Sequence, residues 1–495
     1  MNRTKLVFLN TVAQVTEQVI GIFISLATFV LLARHLGVST YGEYSIITTY
    51  LGFFAVAADW SLYLLVVKSL VANEDPQERA TSFGKIAVFR LLLAAPCLAL
   101  GLLLLIFFPY AAVVKLGIII GSLAFLASSF SQLINGIFQA ELKLYLTALL
   151  DLVYRGLTLL LTILALHLGL GLLYIIAGMV VAAVTAFLLG SILARQFIPL
   201  RLNYFRITRG EAKDLFSQSW ALGLNGIFSN LLYRIDLLIL SLFVSTAIVG
   251  IYGLPEKIME VVAILPGAFI GSVFPIIGRY YGAGDQVNLE RSVRSSFSFL
   301  VITGAFLSGF IFAFAKPIVA VAGGSQFQES VLALQILAFY PIFAFLGNFY
   351  YHLAVIVNQQ RLLLWRTGSV LLLNIFLNLL FIPLFSYKAA AVITLITECI
   401  GAVISGYIIY RALPTHHFQV GRMGQAIIGA AAVNASLVFV YHRLAPIINI
   451  TASRAYVQAI TLLGLGLIGM AVYVLLLVGL GTIKKEDLNK IAMSH

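Results

Sequence analysis

The sequence predicts an all-α polytopic membrane protein, with about fourteen transmembrane helices in two pseudo-symmetric six-helix lobes plus two C-terminal helices. Three observations carry this. Of 495 residues, 61% are hydrophobic and 10% charged, where a soluble domain carries about 25% charged residues, and the mean hydropathy is +1.04. Polar clusters divide the chain into apolar stretches long enough to cross the hydrocarbon layer, which takes about 20 helical residues. A motif also recurs: Val38-Ser39-Thr40-Tyr41-Gly42-Glu43-Tyr44 returns as Val244-Ser245-Thr246 and, after a short insertion, Gly250-Ile251-Tyr252. A duplicated chain gives two similar lobes.

The apolar stretches fall near 6–33, 42–71, 82–108, 113–139, 144–168, 171–195, 217–244, 248–276, 293–315, 329–357, 362–385, 388–412, 423–444 and 455–481. The first follows MNRTK and is too long for a cleaved leader, so it is expected to stay as a span. With the N-terminus in the cytoplasm, 20 of the 31 Lys and Arg fall on inward segments and six on outward turns. The positive-inside bias therefore predicts a multi-pass protein of the cytoplasmic (inner) membrane with both termini cytoplasmic. The longest basic interruption, Arg195 to Ser219, mixes cations with Phe, Leu and Tyr and reads as an interfacial linker touching anionic lipid.

The expected division is then 1–195 for the N-terminal lobe, 196–216 for the cytoplasmic basic linker, 217–415 for the C-terminal lobe and 416–495 for two additional helices and a cytoplasmic tail. Spans one and seven start on the same side, so the lobes are parallel copies about an axis along the membrane normal. A net charge of +12 in a soluble domain would point to nucleic acid; here its placement matters more than its sum, and no nucleic-acid partner is expected. Cys97 and Cys399 sit in apolar runs and imply neither disulfide nor zinc. His416-His417 reads as a solvated turn, so no metal is expected.

An ionised residue at a bilayer centre costs about 2.5 to 3.5 kcal/mol, so each one needs water, a partner or a task. In the first span Asn10, Gln14, Glu17, Gln18, Gly21, Ser25 and Thr28 share one helical stripe, which either lines an aqueous cavity or holds helices together by hydrogen bonds. Asp151 and Arg155, one turn apart in the fifth span, read as a self-neutralising pair. In the seventh, Ser219, Gly223, Gly226, Asn230, Arg234 and Ser241 share a face, while Asp236 lies about 200° round from Arg234 at 100° per residue. The repeat offset matches Glu17 to Gly223 and Thr28 to Arg234, so those two faces are expected to look at each other. In the eighth, Glu256 and Glu260 stand one turn apart with Lys257 beside them, either sharing a proton or forming a static salt-bridge cluster.

Four stretches carry a family likeness: LLARHLGVSTYGEYSI, VSTAIVGIYGLPEKI, FPIIGRYYGAGD and NIFLNLLFIPLFSYKAAAVITL. Each is weak alone and strong in order and spacing. Over about 400 residues the chain resembles the oligosaccharide flippases (Wzx-like) of the multidrug/oligosaccharidyl-lipid/polysaccharide exporter superfamily, the bacterial polysaccharide-biosynthesis membrane proteins. It departs from their pattern at Trp60-Ser61, where a small or aliphatic residue and Gly are usual after Asp59, and at Ser386-Tyr387-Lys388, which replaces a Gly-containing turn.

The resemblance implies two six-helix lobes around a central cavity, with alternating access moving a polyprenyl-diphosphate-linked oligosaccharide outward for surface polysaccharide biosynthesis. It implies no enzyme and no cofactor. Membrane lipids surround such a protein, and a polysaccharide polymerase or other assembly protein is a partner it admits. The diphosphate calls for cations, and the planar fork of Arg suits it. Candidate cavity residues are Arg234, Lys257, Asn230, Glu17, Gln14, Arg90 and Arg155; candidates for coupling to a proton or sodium ion are Glu256, Glu260, Asp236 and Asp59, with the need for an ion left open. The alternatives are a cation-coupled multidrug exporter of the same superfamily and a membrane-embedded glycosyltransferase or polymerase. The enzyme alternative would want a large outward loop with clustered acids or arginines, and the sequence has neither that nor a phosphate-binding glycine loop or HExxH.

Overall fold

The computed structural model describes residues 3–60, 62–199, 204–413, 420–447 and 455–480, and all regular structure among them is helical. The chain divides into two compact units, Met1–Gly250 and Ile251–His495.

The first unit opens with α1 (Arg3–Asp59), which Gly37 breaks: φ 75° and ψ 167° lie outside the helical well and suit a residue without a β-carbon. The stretch expected to run unbroken from 42 to 71 is interrupted as well. Trp60 turns to φ 49°, and α2 (Leu62–Ala72) starts afresh after it. In α3 (Pro76–Leu104) the first-turn proline needs no hydrogen bond, and Asp75 caps the end by accepting from the Glu78 N–H. There follow α4 (Ala112–Ala140), α5 (Leu144–His167), α6 (Leu172–Ala194) and α7 (Arg209–Phe243). Thr208 and Glu211 close a reciprocal capping box at the start of α7. Helix α4 lies along α6, α1 packs on α5, α4 and α7, and α2 packs on α4. Leu62, Val66, Leu133, Ile137 and Phe138 are the fully enclosed centre of its main apolar cluster.

The two copies of the repeated motif touch. A β-carbon at Gly42 would run into the Thr246 carbonyl oxygen, and one at Gly250 into that of Val38. Ser39 and Thr246 share a hydroxyl hydrogen bond of 2.7 Å. Val38 stands to Gly42 as Thr246 stands to Gly250, so the contact is reciprocal, as between equivalent surfaces of a two-fold pair.

The second unit takes up α8 (Thr246–Val262) from Ile251 and continues with α9 (Ile264–Gly282), α10 (Gln286–Ala313), α11 (Ala315–Gly323), α12 (Ser330–Leu337), α13 (Tyr340–Ile356), α14 (Gln360–Phe385), α15 (Tyr387–Ala412), α16 (Val420–Ile447) and α17 (Ala455–Gly479). Two expected spans are broken: 248–276 at Ala263, between α8 and α9, and 329–357 between α12 and α13, which meet at 41°. Helices α16 and α17 pack on α10. Tyr473 stacks on Phe306 at 5.6 Å and donates to the Ala426 carbonyl at 2.6 Å, and Asn434 donates to the Phe306 carbonyl at 3.3 Å.

Among the described residues twelve helices are long and apolar enough to cross a membrane, thirteen with the bent α12 and α13 pair, against the fourteen expected. The difference lies in α1, whose two arms about Gly37 the sequence reading takes as two spans.

Candidate functional site

Arg234 lies nine residues before the end of α7, about 14 Å in at 1.5 Å per residue, and midway along the apolar segment Gly226–Phe243. Its guanidinium rests against the second arm of α1, where a β-carbon at Gly52 would sit 2.9 Å from Cζ and 2.9 Å from Nη1. Nε is buried without a hydrogen-bond partner, and no acceptor or counter-ion meets the group among the described residues. The half-buried Asn230, one turn earlier, is tied to its own helix, donating to the Gly226 carbonyl at 3.2 Å.

Three turns towards the start of α7, the indole of Trp60 lies on Gly223, where a β-carbon would meet ring atoms at 2.6 to 2.9 Å, and stacks on Phe216 at 5.6 Å. Helices α1 and α7 therefore run antiparallel and interlock, a glycine of each receiving a large side chain of the other. Asp236, two residues past Arg234, is 3% exposed and belongs to the interior.

The first-span stripe turns elsewhere. Instead of facing Arg234, it meets α5: Arg155 Nη1 donates to Ser25 Oγ at 2.7 Å, and Nε approaches Glu17 Oε1 at 3.5 Å. Asn10 donates to the Leu142 carbonyl at 2.7 Å, between α4 and α5. This adds Glu17 to the expected Asp151 and Arg155 pair. Gly21 leaves room for the guanidinium to cross to α1, since a β-carbon there would stand 2.9 Å from Glu17 Oε1 and 3.0 Å from Arg155 Nε. Asp151 acts electrostatically on both Glu17 and Arg155, making a three-charge cluster. Gln14 is exposed.

Arg90 is fully enclosed between α3 and α4, donating from Nε to Ser129 Oγ at 2.8 Å and from Nη2 to Gln132 Oε1 at 3.2 Å. In the second unit Lys257 Nζ, at the edge of the acidic face, meets Glu260 Oε2 at 2.5 Å. Glu256, one turn before Glu260, is half-buried. The side chain of Asp59 and the pair His416-His417 lie outside the described residues.

Sequence reasoning passed over two polar groups on α14 and α15. Glu398 faces Arg366, whose Nε donates to the Gly401 carbonyl at 3.0 Å, so Arg366 is folded into the helix pair. Below them Asn378 donates to Asn374 Oδ1 at 2.9 Å, and Asn374 to Thr397 Oγ1 at 3.2 Å, all three buried. The signal for Glu398 was available, because it is the only acid between 388 and 412.

Residues 7–281 match the family described as Polysaccharide biosynthesis protein, and residues 221–380 match the family described as MatE. The chain is 23% identical over 404 residues, 79% of its length and 81% of the relative's, to the Haloferax volcanii protein named "Probable low-salt glycan biosynthesis flippase Agl15". Among solved structures it is similar to "Lipid II flippase MurJ, inward closed conformation", with a TM-score of 0.71 and 12% identity over 95% of this chain and 99% of that one. It is also similar to an inward-facing multidrug resistance MATE family transporter, with a TM-score of 0.65 and 15% identity over 80% and 96% of the two chains. At these identities the structural likeness speaks for the fold.

Proposed function

The chain belongs to the polysaccharide biosynthesis protein family, and on that premise we propose that it is a flippase and not an enzyme, moving a polyprenyl-diphosphate-linked oligosaccharide from the inner to the outer leaflet of the cytoplasmic membrane by alternating access. The observation that carries this reading is Arg234, a half-buried guanidinium midway along an apolar segment with no protein acceptor among the described residues. A cation at such a depth costs about 2.5 to 3.5 kcal/mol unless water or an anion meets it. A diphosphate head group is such an anion, and a guanidinium binds its oxygens two at a time. The same charge repels cationic cargo, which ranks the multidrug-exporter alternative second. The printed name of the Haloferax relative supports a glycan-linked cargo.

Both termini are assigned to the cytoplasm on the positive-inside bias. A proton or sodium gradient is the proposed driving force, with Glu256, Glu260 and Asp236 as the proposed ionisable groups. Membrane lipids and the assembly proteins of the polysaccharide are the proposed partners.

The test is transport by the purified full chain in proteoliposomes, reading the arrival of a short-chain polyprenyl-diphosphate sugar at the opposite leaflet. Arg234→Ala is expected to slow it at least tenfold with membrane insertion and thermal stability kept. Arg234→Lys, which keeps the charge without the fork, should fall between. A wild-type rate in folded Arg234→Ala protein overturns the reading.

A further inference from the structure

We infer that Gly52 is a positioning residue for the substrate-binding arginine, the missing side chain of the glycine being the seat of the Arg234 guanidinium. The inference rests on the reading of Arg234 as the diphosphate contact. A β-carbon at residue 52 would lie 2.9 Å from Cζ and 2.9 Å from Nη1 of Arg234, nearer than side-chain carbons approach other groups, and 3.0 Å from Nε, a tight contact. All three of these nearest atoms belong to the arginine.

That distinguishes Gly52 from the glycines that bring helices together. At Gly42 and Gly250 the nearest atoms are backbone, and a substitution there would push one helix off the other. At Gly52 only the far end of a flexible side chain stands in the way. The glycine also holds the guanidinium without engaging it, because a bare helix surface offers contact but no free acceptor. The guanidinium makes no hydrogen bond to the described residues. Its donors are thus kept for a ligand while its place is fixed, a division that a carboxylate partner could not provide. Glycine is a poor helix former compared with alanine, so its presence deep in α1 calls for such a reason.

The experiment uses inorganic pyrophosphate as probe, with binding to the full-length protein in lipid nanodiscs measured for wild type, Gly52→Ala, Arg234→Ala and Arg234→Lys. Gly156→Ala is the control, because a β-carbon at Gly156 meets nothing within 4 Å. Gly52→Ala is expected to weaken binding at least tenfold with an unchanged or raised unfolding temperature, and Gly156→Ala to leave binding as it is. In an Arg234→Lys background the Gly52→Ala effect should shrink to less than threefold, since the two residues then no longer act as a unit. An equal loss in both backgrounds, or loss of the folded protein on Gly52→Ala, assigns Gly52 to helix packing and overturns the inference. Wild-type binding by Gly52→Ala beside lost binding by Arg234→Ala also overturns it and leaves the flippase reading intact. Wild-type binding by Arg234→Ala removes the reading on which it rests.

Discussion

Ser386 joins α14 to α15 at φ 58° and ψ −144°, a conformation that glycine adopts freely and that costs a residue with a β-carbon about 1 to 3 kcal/mol. Its Oγ is buried without a hydrogen-bond partner. Trp60 pays a similar strain at φ 49°, offset by its indole lying on Gly223 and Phe216. Ser386→Gly should therefore stabilise the protein by about 1 kcal/mol, the relieved strain outweighing the extra freedom glycine gives the unfolded chain. Thermal unfolding in detergent measures this, and an unchanged or lower midpoint would count against the strain argument.

At the scale of the element, α7 shows how one helix serves two environments. Its first turn is in water: Lys85 Nζ meets Glu211 Oε1 at 2.7 Å, and the Thr208 N–H and hydroxyl donate to Glu211 Oε2 at 2.8 and 2.9 Å. The Lys85 hydrogen bond first, then the Thr208 cap, hold the Glu211 carboxyl down at about 2 from the ordinary 4.5. A folded-state value below the unfolded one contributes stability that is present above 4.5 and lost as pH falls towards 2. Exposure to solvent keeps the effect small. The gap in unfolding midpoint between wild type and Glu211→Gln should therefore be constant above that window and close within it; a gap that persists down to pH 2 would count against the linkage. Further along, Gly223 and Arg234 face the break at Trp60 and Gly52 on α1. The helix passes from a capped aqueous end to a charged contact in the apolar segment.

At the scale of the molecule, two proposals concern the whole transport cycle. The orientation predicts that a single cysteine introduced at Arg206 reacts with a membrane-impermeant thiol reagent only after the cells are opened. Labelling from outside intact cells would overturn the proposed orientation. For coupling, Glu256→Gln, Glu260→Gln and Asp236→Asn should each weaken the acceleration of transport by an imposed proton or sodium gradient. An unchanged gradient response in all three leaves these carboxylates with structural tasks alone.

Apolar length, helical period and charge placement lie within short windows, and the sequence by itself was enough for the membrane class, the helical fold and the family. The same local logic singled out Arg234, since a cation amid apolar residues is visible without coordinates. Which residue faces it was not legible. Gly52 has no side chain to announce a role, and only the antiparallel approach of α1 and α7 brings it under the guanidinium. Likewise Arg155 looked committed to Asp151 along its own helix, until the space over Gly21 let it cross to Glu17. The breaks at Trp60 and between α12 and α13 were hidden because hydrophobicity continues across a bend. Composition records which groups must be satisfied; partners distant in sequence are decided by how closely two helix backbones come together, and that distance exists only in the folded chain.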